Sequence, residues 1–232
     1  EDPNNYIGNN SFGPMLHLEV NDFEKEIVEP FKIRSLIGTL LNSMKKYKDN
    51  PCIGYRKPFP DGTFEKKYTF FSFKEAEEMS YTISKNIEER KQELIKEDDY
   101  IGKHFKLIGI FAKNCCEWFL SDTACQLNSI STVTLYATLG QGSFKYILDQ
   151  TGITSLFLSP DLIDSLLKFK KNINFTSIKN IILFDLSLNI PETTFEKLRK
   201  AVPNVYSFKK DFLKPNDNLR EKDLRLSSPD TV

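Results

Sequence analysis

The sequence predicts an α/β fold: a mostly parallel sheet built from βα units, with helices on both faces. Three observations carry that prediction. Short strands rich in apolar and β-branched residues recur at Leu107–Phe111, Ile130–Leu135, Leu156–Leu158, Ile181–Phe184 and Val205–Phe208. The intervals between them carry apolar residues at helical spacing or helix-start signals. Strands this short, joined by amphipathic helices, bury both faces and require a parallel sheet with right-handed crossovers. No internal repeat or low-complexity tract competes with this pattern.

Composition sets the outer limits. The chain has 232 residues, with 32 Lys and Arg balanced by 32 Asp and Glu, for a formal charge of zero. A nucleic-acid-wrapping protein carries a basic excess to neutralise phosphates, so no nucleic-acid partner is expected. Hydrophobic residues make up 40% of the chain, enough to form a self-contained core.

The elements follow in order. Residues 1–30 read as an extended acidic arm, with seven acids against Lys25 alone and Gly8, Gly13 and Pro14 as breaks. An acidic start without an apolar run is not a secretory signal, and no stretch approaches 18 apolar residues. Residues 31–99 form a helix, hairpin and helix region. Leu36, Ile37, Leu40, Leu41, Met44 and Tyr47 predict a helix over Arg34–Tyr47, stopped by Asp49-Asn50-Pro51. Cys52–Tyr55 and Phe64–Phe70 form a hairpin around Pro60-Asp61-Gly62. Ser72 and Glu75 have the spacing of a capping box, ahead of a helix with Ala76, Met79, Ile83 and Ile87 on one stripe. The charge run Glu88–Asp99 reads as a solvated helix end and loop.

Residues 100–232 form the βα-repeat subdomain. Asn114 with Glu117 has cap spacing, before a helix that places Cys116, Phe119, Leu120, Thr123, Ala124 and Leu127 on one face. Cys116, Trp118 and Phe119 are expected in the structural core. Thr138 with Gln141 predicts the next helix start, whose Phe144, Ile147 and Leu148 face inward. Ser159-Pro160 supplies a cap and a proline at the first helical position, ahead of Leu162, Ile163, Leu166 and Leu167. Thr193 with Glu196 marks a short last helix.

Sites of known chemistry fail to appear. There is no GxGxxG turn to hold a pyrophosphate, no GxxxxGK[ST] loop and no GxSxG elbow. Gly140-Gln141-Gly142 is explained by flexibility or close packing before anion binding. Cys52, Cys115, Cys116 and Cys125 lack metal-ligand spacing and read as buried reduced thiols. An apolar face raises the Cys116 thiol pKa and hides it, so it is not a nucleophile. His104 reads as a surface histidine in a charged loop, and Asp122 is an acid without a convergent base. No catalytic, cofactor-binding or metal-binding residue is assigned.

The run Ile108-Gly109-Ile110-Phe111-Ala112-Lys113-Asn114-Cys115-Cys116-Glu117-Trp118, followed by Ala124-Cys125 and Thr132-Val133-Thr134-Leu135-Tyr136-Ala137-Thr138-Leu139-Gly140, resembles the long-chain acyl-CoA synthetases of the adenylate-forming superfamily. Tyr68-Thr69-Phe70 before the Glu75 helix adds to the likeness, and Lys- and Asn-rich loops suggest a protozoan parasite version. The resemblance implies the N-terminal portion of an ATP-dependent long-chain fatty acid–CoA ligase. Its parent uses ATP, Mg²⁺ and coenzyme A, first to form an acyl-adenylate and then a thioester. The implied partners are the remainder of the parent polypeptide and a fatty acid. The implied location is cytoplasmic, peripheral on a membrane such as the endoplasmic reticulum.

Leu226–Val232 is similar to the segment that precedes the family's phosphate-gripping loop, so the chain is expected to stop short of the catalytic residues and to be inactive alone. Tyr136, Thr138, Leu139 and Gly140 follow the end of a parallel strand, where α/β proteins place ligands. They are the candidate wall of an acyl or pantetheine channel. The alternative is a noncatalytic nucleotide-binding or partner-binding α/β domain.

Overall fold

The computed structural model describes residues 35–59, 61, 63–95, 97–100, 103–173 and 176–216, with backbone alone for 97–100 and 103–105. The acidic arm at 1–30 and the Leu226–Val232 segment lie outside these residues.

In chain order the elements are α1 (Leu36–Lys46), β1 (Pro51–Tyr55), β2 (Thr69–Ser72), α2 (Phe73–Glu89), α3 (Lys91–Leu94), β3 (Glu97–Tyr100) and β4 (Lys103–Phe111). Then come α4 (Cys116–Gln126), β5 (Ser131–Leu135), α5 (Gln141–Thr151), β6 (Ser155–Leu158), α6 (Ile163–Ile173), β7 (Asn180–Leu183), α7 (Glu192–Arg199) and β8 (Asn204–Ser207). A single 3₁₀ turn, Pro160–Leu162, leads into α6, and a π-turn, Phe208–Phe212, follows β8.

Strands β5, β4, β6, β7 and β8 form a parallel sheet in that spatial order. The first strand in sequence, β4, therefore lies between the second and the third. Strand β3 runs antiparallel to the first part of β4, pairing Glu97–Tyr100 with Lys103–Lys106, while β5 pairs with Leu107–Phe111. The sheet is mostly parallel with one antiparallel addition.

Side chains alternate across the sheet with period two. Ile108 and Ile110 of β4, Phe157 of β6 and Ile182 of β7 enter one core with Ile37, Met44, Ile83, Ile87 and Leu120 from α1, α2 and α4. Phe111, Leu156, Leu158, Ile181 and Leu183 enter a second core, against Phe144 and Leu148 of α5, Leu166 of α6 and Leu198 of α7. The helices thus change face between β4–α4–β5 and the later units. Right-handed crossovers force that change where the chain reverses its direction across the sheet.

Several predicted starts move. The Ser72–Glu75 capping box forms: Glu75 N donates to Ser72 Oγ at 3.2 Å and Ser72 N to Glu75 Oε2 at 2.7 Å. Cys115, not Asn114, occupies the cap of α4, Gly140 that of α5 and Pro191 that of α7, so the Asn114, Thr138 and Thr193 caps are corrected. Thr138 lies in a turn closed by Leu139 N donating to Tyr136 O at 3.0 Å, which delays α5. Leu36 is 75% exposed at the first position of α1, outside the buried stripe of Ile37, Leu41 and Met44. The Phe64–Phe70 strand breaks in two: an isolated Pro58–Phe64 bridge, a bend at Lys66-Lys67, and then β2. The charge run also differs from expectation, since it holds α3 and β3. An edge strand needs only backbone partners, which side-chain polarity does not disclose.

The lower end of the sheet is fastened by polar groups. Asn180 Nδ2 donates to Glu93 O and Ser155 Oγ, both at 2.9 Å, and Asn204 Nδ2 donates to Asn180 Oδ1 at 2.8 Å. Ser155 Oγ donates to Leu94 O. This ladder satisfies the last carbonyls of α3, which a short helix leaves without partners of its own.

Candidate functional site

Where β4 and its neighbour β6 send their following helices to opposite faces of the sheet, a crevice opens outside their carboxyl ends. A cleft of about 330 Å³ occupies this place. Lys113, Asn114 and Glu117 from the β4–α4 turn line it, with Ser159 and Asp161 after β6 and Ser187 after β7. The β1–β2 hairpin covers one side with Tyr55, Arg56, Phe64 and Tyr68.

One ion pair lies in the cleft. Lys113 Nζ lies 2.7 Å from Asp161 Oδ2, and Ser159 Oγ donates to Asp161 Oδ1 at 2.7 Å. Burial pushes the Asp161 carboxyl up, but the Lys113 and Ser159 hydrogen bonds and the Lys113 charge outweigh it and hold it below its ordinary value. The Asp161 hydrogen bond raises Lys113 in turn.

Glu117 forms the inner wall. It is 6% exposed and accepts from Leu186 N at 3.2 Å, tying the β4–α4 turn to the segment after β7. Burial raises its pKa against the lowering effect of these hydrogen bonds. Asp185, beside it in sequence to Leu186, accepts from Ser207 Oγ at 2.5 Å and Lys209 N at 2.8 Å, so the post-β7 segment is anchored on both sides.

Two thiols, Cys115 and Cys116, line the cleft beside Glu117. Cys115 donates to Glu117, and desolvation, with the Glu117 charge, pushes its pKa up to about 12. Desolvation raises Cys116 to about 11. Both are thus protonated at neutral pH and poor nucleophiles. Cys116 and Cys125 are buried and Cys52 is half-buried, but residue Cys115 is exposed, which corrects the expectation that all four are buried. Asp122 accepts from Thr132 Oγ1 of β5 at 2.5 Å and from Gln126 Nε2 of α4 at 2.8 Å, and so ties that helix to the strand after it. His104 lies in β4 opposite Asp99 rather than in a loop.

The remaining sequence-selected residues occupy two places. Trp118 and Phe119 are half-buried against the first core, which contains Leu120 and Ala124; Cys116 is 5% exposed. Tyr136, Thr138, Leu139 and Gly140 follow β5 at the same carboxyl edge of the sheet but do not line the cleft. Tyr136 is 68% exposed, and Leu139 packs against the second core. A Cβ at Gly140 or Gly142 would meet nothing within 4 Å, so close packing does not account for these glycines. Sequence reasoning missed the cleft itself. Its walls come from four separated stretches, which the strand order and the packing of the separate hairpin bring together.

Among the described residues, no three His, Cys, Asp or Glu side chains converge, so they do not furnish a divalent-cation site by themselves. They also include no glycine-rich phosphate cradle.

Comparison with known proteins sharpens the reading. The chain is 33% identical over 110 residues to long-chain-fatty-acid–CoA ligase 6 of Rattus norvegicus, covering 47% of this chain and 14% of that protein. It is 30% identical over 159 residues to fatty acyl-CoA synthetase B of Dictyostelium discoideum, covering 68% of this chain and 22% of that protein. The chain is similar in sequence to the long-chain fatty acid–CoA ligases. It spans about a fifth or less of the length of these ligase relatives. No protein-family model matches it.

Solved structures agree in fold. The adenylation domain of a carboxylic acid reductase from Segniliparus rugosus, solved with AMP and a carboxylic acid, superposes with a TM-score of 0.62 at 16% identity, covering 88% of this chain and 33% of that one. A luciferase-like enzyme from Zophobas morio gives 0.53 at 14% identity, covering 86% and 39%. The fold is therefore shared with about a third of each of these longer chains.

Proposed function

We propose that this chain is the N-terminal portion of an ATP-dependent long-chain fatty acid–CoA ligase. One observation carries the reading: sequence relatives matching up to 69% of the chain are named as fatty acid–CoA ligases or acyl-CoA synthetases. Adenylation of a carboxylate by ATP creates a phosphate-stabilised leaving group, which a coenzyme A thiol then displaces. The described residues supply walls for that chemistry and leave the phosphate-binding machinery to the rest of the parent. Remaining parts of the reading are Mg²⁺ dependence, a cytoplasmic parent peripheral on an intracellular membrane, and a fatty acid substrate.

The test compares the complete gene product with the 232-residue chain in an assay of coenzyme A thiol consumption that requires ATP, Mg²⁺ and a long-chain fatty acid. Turnover is expected from the complete protein alone. Robust turnover by the 232-residue chain, or none by either, overturns the reading. Tyr136→Ala in the complete enzyme tests the channel wall separately. The expected result is an altered chain-length preference or apparent coenzyme A requirement. A change in stability alone refutes that role.

A further inference from the structure

The β1–β2 hairpin departs from the chain's balanced, mixed surface. Four of its aromatic rings stand in solvent: Phe59 is 47% exposed, Phe64 50%, Tyr68 59% and Phe70 55%. A folded surface that leaves four large rings outward on one hairpin presents an apolar patch of the kind that marks an interaction site. Their placement is built. Phe70 lies across Gly54, where a Cβ would come within 2.7 Å of the ring, and Tyr68 sits 6.0 Å from Phe70.

Cations are interleaved with these rings. Lys66 and Lys67 are exposed between Phe64 and Tyr68 in sequence, Lys57 is exposed two residues before Phe59, and the Arg56 guanidinium lies 5.8 Å from the centroids of both Phe64 and Tyr68. The four cations face only two acids in the segment, Asp61 and Glu65, although the chain as a whole is neutral.

Composition selects the partner. Cores of protein–protein interfaces are enriched in aromatic residues but depleted in Lys. Rings that sit at the headgroup level among lysines are instead the signature of a bilayer–water interface. Aromatic side chains enter that zone, and cations beside them gain from the negative surface of anionic lipid.

We propose that the β1–β2 hairpin is an interfacial contact that seats this part of the protein on bilayers containing anionic phospholipid. It binds by partial insertion of Phe59, Phe64, Tyr68 and Phe70, with Lys57, Lys66 and Lys67 over the headgroups. No helix among the described residues is long and apolar enough to cross a membrane. The proposal rests on the hairpin alone. Its failure leaves the ligase reading intact, because the thiol-consumption assay contains no vesicles.

Flotation of the 232-residue chain with vesicles tests it. Vesicles of phosphatidylcholine with about 30% phosphatidylserine should carry the chain upward, and pure phosphatidylcholine should do so far less; high salt should weaken the binding. Lys57→Gln, Lys66→Gln and Lys67→Gln together should lower the partition coefficient by about a hundredfold, roughly fivefold for each lysine. Phe59→Ser with Phe64→Ser should lower it by roughly tenfold. Lys209→Gln with Lys210→Gln, on the exposed surface after β8, should leave it unchanged. Circular dichroism confirms that each variant is folded. Equal flotation on both vesicle types, no flotation on either, hairpin variants that float like the parent chain, or an equal loss in the Lys209/Lys210 control would each overturn the proposal. Of these, no flotation on either is also the outcome expected if another protein surface covers the hairpin.

Discussion

Individual side chains in this fold carry unequal burdens, and the turn after α4 illustrates it. Ser129 adopts φ 52°, a left-handed conformation that costs a residue with a Cβ on the order of 1 kcal/mol. Ser129→Gly is expected to raise stability by up to that amount in a urea titration. Gly152 is the converse: it caps α5 at φ 61°, so Gly152→Ala should lose about 1 kcal/mol. Gly109 faces a tighter limit, since a Cβ would meet Ile153 Cδ1 and Leu156 Cδ1, each at 2.6 Å in the second core. Gly109→Ala should cost about 1–3 kcal/mol through overpacking. Glu117 sets a pH dependence. Its folded pKa is raised by burial, so the folded state holds a proton that the unfolded chain has released. Stability is therefore highest below the ordinary carboxylate range and falls as pH rises from there through the raised value. Glu117→Gln, whose amide oxygen still accepts from Leu186 N, should flatten that fall in urea titrations at a series of pH values.

At the scale of elements, the helix pair α2–α4 and the ladder beneath the sheet are the informative parts. Ser80, Ser84 and Ser121 are buried between α2 and α4 with no partner for their hydroxyls. An unpartnered buried hydroxyl opposes folding, so Ser84→Ala should be neutral or stabilising by up to about 1 kcal/mol in the same titration. The β-strands from Leu107 onward and most helices were legible in the sequence because apolar period decides them. Helix starts were less so. Asn114, Thr138 and Thr193 have the right chemistry for a cap, but turn geometry and neighbouring carbonyls choose Cys115, Gly140 and Pro191. Nor could β3 be read from its charged residues, since what holds it is backbone pairing to β4. The cleft was illegible for a different reason: Lys113 and Asp161 meet only after the order of β4 and β6 in the sheet is fixed.

For the whole molecule, the strand alternation has a consequence for cooperativity. Adjacent residues of one strand, such as Phe157 and Leu158, belong to opposite cores. Neither layer of helices can leave without exposing half of every shared strand. The ligase-like relatives place such a section within a much longer polypeptide, yet the section contains both faces of its own sheet. The one tryptophan, Trp118, rests on the first core alone. The chain therefore carries an optical reporter of one layer, whereas backbone ellipticity registers both. Emission and ellipticity should trace superimposable curves against denaturant. Separate curves would mean that one layer can melt by itself, so that a partner holding only the hairpin side would stabilise half the structure and leave the other half free to open.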